Sequence, residues 1–290
     1  MLDDTKTEIT TDVLESVSVF ISVWRQFAES FQNADIATRN GLSISWPDVP
    51  LAIYNNIFLV RKVEDPEILT ARVQQATSLA RTKGKAGLIT VCHELLRGHA
   101  RSRVDAIFER EGYIQAIPLT GMAGNILPLE APGHPDLRIE RAEDNGVTVT
   151  DINCLAYGLA VETGRASLLR KSFWQNAFSY VAFIGDRPVT TATVIVQREC
   201  LYLALVATVP EAQGEGYGQA VVRHTLQRAH EATGLTRTIL HATQAGYSLY
   251  DGLGYRATAH FTGYAPRPSQ RSRYAVLWIW GFESTSFVKR

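Results

Sequence analysis

The chain has 290 residues, 46% hydrophobic and 20% charged, which is the composition of a globular protein with a sizeable core. Its 29 lysines and arginines balance its 29 aspartates and glutamates, so no net charge draws it to nucleic acid or an anionic membrane. The polar start does not resemble a signal peptide, and no apolar run reaches the roughly 20 residues that span a bilayer. We therefore expect a soluble, cytoplasmic protein.

The first half of the sequence alternates between helical and extended patterns. Apolar residues at helical spacing open it, and Asp65 followed by Pro66 is a typical helix start. The patterns predict, in order, a helix at residues 11–31, a strand at 51–60, a helix at 65–82, a strand at 87–91, a helix at 102–110 and a strand at 113–118.

A segment rich in glycine and proline follows at residues 121–135 and shows no helical or strand periodicity. A chain of 290 residues favours two domains. We therefore place the boundary in this segment and predict domains at residues 1–135 and 136–290.

The second half predicts a meander of strands followed by alternating helices and strands. Gly185 and Asp186 form a hairpin dipeptide within the meander, and Gly234 is a natural helix end. We expect strands at residues 137–141, 178–184, 189–197, 200–208, 237–242 and 255–264, and helices at 150–161, 216–234 and 244–253. This order predicts an α/β (α+β) architecture built on a mixed sheet.

The segment at residues 206–218 carries the chemistry. A strand ends, three glycines follow at alternate positions (Gly214, Gly216 and Gly218), and an amphipathic helix begins. Glycines let the backbone approach a ligand, and the first N–H groups of a helix lack intrahelical partners, so the segment predicts a seat for a pyrophosphate. A Walker loop and a dinucleotide fingerprint are excluded, because Gln219 stands where the first needs lysine and the second glycine.

This segment resembles the coenzyme A loop of the GNAT superfamily of N-acyltransferases. The family pattern is Gln or Arg, two residues, Gly, one residue, then Gly or Ala, and Gln213, Gly216 and Gly218 satisfy it. Residues 250–255, Tyr-Asp-Gly-Leu-Gly-Tyr, resemble the family's Tyr-Glu-Lys-Leu-Gly-Phe ending. The resemblance covers residues 136–265 and implies a GNAT-like fold for the second half.

By this resemblance, acetyl-CoA is the co-substrate and binds between the strands at residues 200–208 and 237–242, which splay apart. The opened strand edge would bond the pantetheine arm like an added strand, and Tyr250 would protonate the departing thiolate. No metal is implied. The cofactor-binding residues implied are Val206, Ala207, Thr208, Gln213, Gly214, Glu215, Gly216, Tyr217, Gly218 and Thr243.

Two positions depart from the family pattern. Thr243 stands where many members have an asparagine that reaches the pantetheine, and Tyr202 stands where several relatives have a glutamate general base. No carboxylate is obvious on that strand except Glu199 at its start. The sequence therefore leaves the base open between a water chain, His241 on the next strand, and no base at all for an amine that arrives neutral.

The predicted elements between residues 51 and 118 repeat the order seen after residue 200, and residues 108–113 echo the Tyr-Glu-Lys-Leu-Gly-Phe ending. The connection at residues 61–66 contains no glycine. We therefore interpret the first domain as a degenerate GNAT-like copy without a phosphate loop. Its predicted roles are to pack on the second domain and to shape the acceptor cleft.

Other features are interpreted as structural. Arg97 stands where a zincin helix starting at His93 would need its second histidine. The basic tail at residues 267–274 is interpreted as a solvated connector before a last strand at 274–280. Three cysteines lie in no metal or redox spacing and are expected to be reduced: Cys92, Cys154 and Cys200.

The sequence predicts an N-acetyltransferase that passes acetyl from acetyl-CoA to a primary amine by direct attack. The alternative is a non-catalytic acyl-CoA sensor or scaffold, which the missing carboxylate at Tyr202 favours. The acceptor stays open among a small metabolite, an aminoglycoside, a peptide and a protein N-terminus, and propionyl and succinyl stay open in place of acetyl. No nucleic-acid or membrane partner is expected, and a homodimer is compatible with the sequence.

Overall fold

The computed structural model describes residues 9–125, 134–143 and 146–268. Its strands form one mixed sheet of 11 strands, in the order β1-β2-β3-β4-β11-β5-β10-β9-β8-β7-β6. The strands are β1 (Asp35–Arg39), β2 (Leu42–Trp46), β3 (Asn56–Leu59), β4 (Leu88–Cys92), β5 (Tyr113–Asn125), β6 (Arg138–Arg141), β7 (Ala177–Ile184), β8 (Arg187–Val196), β9 (Leu201–Thr208), β10 (Arg237–Ala242) and β11 (Arg256–Pro266).

Helices cover both faces of this sheet, which confirms the predicted mixed α/β architecture. Most lie within one or two turns of their predicted positions. They are α1 (Thr11–Ala28), α2 (Pro66–Arg81), α3 (Gly98–Arg110), α4 (Val147–Ala156), α5 (Val161–Leu168), α6 (Lys171–Trp174), α7 (Tyr217–Thr233) and α8 (Gln244–Gly252).

The hairpin of β1 and β2 was not predicted, although the sequence contains its signal. Asn40 and Gly41 join the two strands with φ angles of 53° and 78°. An Asn-Gly pair with both φ angles positive is the preferred two-residue hairpin turn. The turn chemistry at Asn40 therefore could have found these strands.

The strand predicted at residues 51–60 is wrong in its first half. Ala52–Tyr54 form a 3₁₀ turn, and only Asn56–Leu59 pair as β3. The buried Asn55 side chain explains this, because it donates to the carbonyls of Val49 and Ala86 and accepts from the Val49 N–H. These bonds satisfy backbone groups of Val49 and Ala86, on either side of the 3₁₀ turn, with a side chain in place of a sheet partner.

The two halves of the chain exchange their last strands at the centre of the sheet. The last strand of the second half, β11, pairs with β4 of the first half. The last strand of the first half, β5, pairs with β10 of the second half. The exchanged strands also pair with each other, antiparallel, from Tyr113 opposite Pro266 to Ala123 opposite Arg256. Neither half can complete its own sheet.

Part of the irregular segment predicted at residues 121–135 is wrong, because residues 121–125 continue β5. The glycines there reflect close packing. A Cβ atom at Gly121 would lie 2.3 Å from Ser16 Oγ, and one at Gly124 would lie 3.2 Å from the Tyr255 ring. Glycine within a strand often marks such an approach. Residues 126–133 lie outside the described residues, as do 269–290, which contain most of the basic tail and the last predicted strand.

Helix α1 belongs to the first half and packs on strands of both halves. Its Phe20 ring stacks on the His241 ring of β10 at 3.8 Å between centroids. Its Glu15 and Asp12 accept from Arg237 of β10 at 2.6 Å and 3.0 Å. The first half therefore packs directly on the second, as the sequence predicts.

The helix predicted at residues 150–161 is shifted, and α5 and α6 were not predicted. Gly146 and Gly158, with φ angles of 84° and 62°, flank α4 and shift both of its ends toward the N-terminus. Gly164 lets α5 cross α4 closely, since a Cβ atom there would lie 2.1 Å from Cys154 Sγ. Short helices with such crossings lack the long periodicity that sequence patterns need.

The cysteines are buried free thiols, as predicted. Burial raises the pKa of Cys92 to about 12 and the pKa values of Cys154 and Cys200 to about 11. All three are therefore protonated thiols at neutral pH.

Candidate active site

The parallel strands β9 and β10 separate toward their carboxyl ends. They pair only at Thr238 with Leu201 and at Ile239 with Tyr202. From Leu203 to Thr208, β9 has no pairing with β10, although it stays paired with β8. Open sheets bind ligands at the carboxyl ends of such strands.

A β-bulge in β9 accompanies the separation. The register against β8 shifts between Thr191 and Thr193, and the residue opposite the shift, Leu205, has a φ angle of 50°. The Asn153 side chain of α4 donates to the Leu205 carbonyl at 3.2 Å and to the Val149 carbonyl at 2.9 Å. The Asn153 side chain thus holds the bulge in place. Such a bulge increases the local twist of its strand.

The loop after β9 adopts backbone conformations that favour glycine. Gly214 and Gly216 have φ angles of 87° and 81°, and a Cβ atom at either position would meet no atom within 4 Å. Gly218 differs, since a Cβ atom there would lie 3.4 Å from Thr208 Oγ1. The backbone requires the first two glycines, and open space faces them.

The start of α7 presents unpaired N–H groups. Gly216 is its N-cap and has no side-chain cap hydrogen bond. Within the described parts of the chain, the N–H groups of residues 214–219 have no acceptor, and Ala220 is the first to donate, to the Gly216 carbonyl at 3.1 Å. Such a helix N-terminus combines free donors with the positive end of the helix dipole, so it can bind an anion.

Side chains around the loop fix its geometry. The Gln213 amide donates to the Thr208 carbonyl at 3.1 Å, and the Thr208 hydroxyl bonds to the Thr190 hydroxyl at 2.8 Å. Tyr217 is partly buried and lies edge-on to the His134 ring at 4.8 Å, whereas Glu215 is exposed. Gln213 therefore ties the loop to the end of β9, where Val206, Ala207 and Thr208 form the opened edge.

Tyr250 lies on α8, beside the separated strands, and is 8% exposed. Burial raises the pKa of its phenol far above the usual value, and the neighbouring phenols of Tyr157 and Tyr255 raise it further. The group is therefore protonated at neutral pH, which a proton donor requires.

Thr243 is the N-cap of α8, where its hydroxyl accepts from the Gly246 N–H at 3.3 Å. The Thr243 hydroxyl also forms a hydrogen bond with the Tyr157 phenol. Burial raises the pKa of Tyr157, and this hydrogen bond partly offsets the rise. Sequence reasoning missed Tyr157, which follows α4 and interacts with both predicted site residues. No motif marks it, because it reaches the site only through the packing of α4.

His241, one of the candidate bases, lies in a chain of hydrogen bonds. The Tyr202 phenol bonds to His241 Nδ1 at 3.1 Å, and His241 Nε2 bonds to the Ser16 hydroxyl of α1 at 3.2 Å. Burial lowers the pKa of His241 to about 3, so the ring is neutral at pH 7 and a weak base. Glu199 lies outside β9, before its first residue.

The first half adds Tyr54, a second residue that sequence reasoning missed. Burial raises its pKa, as do Cys154 and Tyr157 of the second half, so Tyr54 lies close to these groups. Its ring lies 4.6 Å from that of Phe27 and 6.2 Å from that of Trp24. No motif marks Tyr54. The sequence indicated only that the first domain packs on the second and helps to shape its cleft.

We searched the described part of the chain for a metal site and for a membrane-spanning helix. It contains no group of three or more His, Cys, Asp or Glu side chains arranged to hold a metal ion. None of its helices combines the length and the hydropathy needed to cross a membrane.

Comparison with known proteins agrees with this geometry. The sequence profile of the Acetyltransferase (GNAT) family matches residues 148–255, which include α4 and the strands and helices from β7 to α8. A comparison with curated proteins gives no match.

Several solved structures share the fold at low sequence identity. A GCN5-related N-acetyltransferase from Kribbella flavida has a TM-score of 0.65 at 15% identity, over 87% of this chain and 96% of that one. A tandem GNAT protein from the clavulanic acid biosynthesis pathway has a TM-score of 0.53 at 13% identity, over 88% and 96%. A GCN5-related N-acetyltransferase from Sphaerobacter thermophilus has a TM-score of 0.53 at 11% identity, over 79% and 78%.

The fold, with its separated parallel strands and glycine loop, is that of GNAT proteins. The profile match shows a GNAT family domain at residues 148–255, where the motifs predict one. Similarity to a tandem GNAT protein along most of the chain agrees with a GNAT-like first half.

Proposed function

We propose that the protein is an acetyl-CoA-dependent N-acetyltransferase with one site, between β9 and β10. The observation that carries the proposal is the separation of these strands beside a helix N-terminus with unpaired N–H groups. The residues fit coenzyme A, because the opened edge of β9 can bond an amide-containing arm and the N–H groups of residues 214–219 can hold a pyrophosphate. A cytoplasmic location stays a prediction.

The protein's own residues would perform three tasks. Backbone N–H groups of the Gly214–Gly218 loop would hold the phosphates, and the edge at Val206, Ala207 and Thr208 would align the thioester. The Tyr250 phenol would donate a proton to the departing thiolate, since burial keeps it protonated. An amine held against the thioester carbonyl then needs little further assistance.

One observation favours the alternative of a non-catalytic acyl-CoA sensor. Tyr202 occupies the position where a carboxylate base is found in several relatives, and its burial raises its pKa well above the usual value. A phenol with a raised pKa is a poor proton acceptor. A sensor would bind acetyl-CoA and release no thiol.

Two measurements test the proposal. Calorimetry should show one acetyl-CoA bound per chain, and the melting temperature should rise with ligand concentration. A thiol assay with a panel of amines should show coenzyme A release that depends on the amine. No binding at millimolar acetyl-CoA rejects the site, and binding without amine-dependent release supports the sensor.

A further inference from the structure

Phenol groups from four elements interact around β9, and Tyr202, the second residue of this strand, packs in one cluster with Tyr54. Tyr54 comes from the 3₁₀ turn of the first half, Tyr157 follows α4, Tyr202 lies on β9 and Tyr250 lies on α8. Tyr250 interacts electrostatically with Tyr157 and Tyr202, and Tyr54 interacts with the same two residues. Converging polar groups within an apolar surrounding are typical of a small-molecule site.

Aromatic rings of α1 and α6 pack in one buried cluster with Tyr54 and Tyr202, whereas Tyr250 packs with residues of α7. The centroid of the Phe27 ring lies 5.2 Å from that of Phe173 and 4.6 Å from that of Tyr54. Trp24 is fixed by the bond from its indole N–H to the Ile53 carbonyl, at 2.8 Å. The surrounding is therefore apolar and held in place by both halves of the chain.

The same region lacks charge. Among the described residues no Asp, Glu, Lys or Arg is buried, so none lies within the buried cluster that contains Tyr202 and the rings of α1 and α6. Acidic residues of the adjacent helices are paired elsewhere, Asp151 with Arg165 at 2.5 Å and Glu15 with Arg237 at 2.6 Å. Neutral His241 and the protonated Cys154 thiol add no charge.

We propose that the acceptor is a weakly basic amine on an aromatic or apolar body, neutral at pH 7, as an arylamine is. This rests on the proposed acetyltransferase function and names its substrate class. An alkylamine with a pKa near that of lysine is unprotonated in only about one molecule in 10³ at pH 7. An ammonium ion cannot attack a thioester, and this region offers no carboxylate to take its proton or balance its charge.

A neutral amine lets the reaction balance with the residues present. The nitrogen lone pair forms a bond to the thioester carbonyl carbon, and the carbon–sulfur bond breaks with its electron pair on sulfur. The sulfur takes the Tyr250 phenol proton, and the phenolate takes the surplus proton of the nitrogen through the adjacent hydroxyls. The products are an amide and a free thiol, and Tyr250 is restored.

The test compares amines of similar shape on the full-length protein. With acetyl-CoA at pH 7, aniline should give a kcat/KM at least about tenfold above that of benzylamine, and phenylalanine should give still less. From pH 6 to 9 the aniline rate should stay flat while the benzylamine rate rises about tenfold per unit, following its neutral fraction. Faster acetylation of benzylamine, phenylalanine or a diamine at pH 7 would overturn the proposal.

Tyr202→Glu should place a carboxylate in the region and raise the benzylamine-to-aniline ratio of kcat/KM by about tenfold or more. Tyr247→Glu is the control, because Tyr247 is 37% exposed on α8, and it should leave the ratio unchanged. An unchanged ratio in a folded Tyr202→Glu protein argues against the proposal. Absence of thiol release with every amine would instead reject the acetyltransferase function, and the acceptor panel on the unaltered protein separates the two failures.

Discussion

The chain contains a strand–helix–strand unit twice, and the two copies differ at the point where a ligand would bind. In the first, β3 pairs with β4 at four positions, from Asn56 opposite Leu88 to Leu59 opposite Val91. In the second, β9 has eight residues but pairs with β10 at two. The first pair is closed along the whole of β3, and the second is open over most of β9.

The connections from β3 to α2 and from β9 to α7 also differ, since the first is closed by hydrogen bonds and the second is open. In the first unit, Val63 donates to the Leu95 carbonyl and accepts from the Arg97 N–H, both at 2.9 Å, which bonds the connection to the segment after β4. The Asp65 carboxylate accepts from the Glu67 N–H at 2.7 Å and so occupies the start of α2. In the second unit the start of α7 has no such cap.

The comparison shows that the shared fold does not by itself make a binding site. Because its strands are closed and its helix is capped, the first copy has no open site. Its strand β5 completes the sheet, and its helix α1 packs on the second copy. The open copy depends on local departures from regular structure, namely the bulge at Leu205 and the glycines at 214 and 216. Each departure can be altered without replacing the fold.

Separating the copies should have the largest effect. Residues 136–290 alone would lack β5, which leaves β10 with an unpaired edge and β11 without either of its partners. Because exposed strand edges promote aggregation, we expect this fragment to be poorly soluble and inactive toward amines. Size-exclusion chromatography and the thiol assay measure both effects.

Co-expression with residues 1–135 is the control for the fragment. The two pieces should associate through β5 and β11 and regain one acetyl-CoA site per pair. A fragment of residues 136–290 that is soluble and fully active by itself would contradict the need for strand exchange. A second acetyl-CoA bound by the first half would contradict the contrast between the copies.

Gly216→Val should abolish acetyl-CoA binding. Valine is strained at a φ angle of 81°, and its side chain would extend into the open space before the loop. Hydrogen bonds to charged groups contribute about 1.5–3 kcal/mol each, so losing two phosphate contacts should raise Kd by at least about 100-fold. Isothermal titration calorimetry gives the value.

Gly234→Val is the matched control for that variant. Gly234 caps the other end of α7 with a φ angle of 75° and open space around it, so valine there causes similar strain. Both variants should lose similar thermal stability, and only Gly216→Val should lose binding. Equal losses of binding would assign the effect to strain in α7.

These local departures explain how far the sequence could predict the molecule. The glycine loop and α7 were predictable, because they depend on residues adjacent in the chain. The exchange of β5 and β11 was not, because strand pairing depends on residues more than a hundred positions apart, such as Met122 and Leu240. The glycines of β5 were misinterpreted for the same reason, since their packing partner Ser16 lies far away in sequence.

The candidate site divides in the same way. Tyr250 and the loop residues follow from two motifs that a single sequence displays. Tyr54 and Tyr157 belong to no motif, and they reach the site through the 3₁₀ turn after β2 and the end of α4. The absence of buried charge around Tyr202 depends on which charges are paired elsewhere, and only the fold determines this.

Tyr250→Phe should reduce turnover by about 10²–10⁴-fold, the usual contribution of a general acid, and change the Kd of acetyl-CoA by only a few fold. The lost hydroxyl matters in the transition state, whereas the ring still packs beside Tyr255. Tyr247→Phe on the same helix is the control and should be silent, since Tyr247 is 37% exposed. Unchanged turnover in Tyr250→Phe would make Tyr250 a structural residue.

The smallest expected effect concerns the start of α2. Asp65→Ala removes the carboxylate that caps this helix and should lower the free energy of unfolding by about 1 kcal/mol, the typical value of an N-cap. It should create no second acetyl-CoA site, because β3 and β4 remain paired along their length and Pro66 has no N–H to offer. Denaturant melts measure the stability change, and calorimetry should still give one acetyl-CoA per chain. A second binding event in this variant would mean that the Asp65 carboxylate alone, and not the closed strands, keeps the first copy from binding a phosphate ligand.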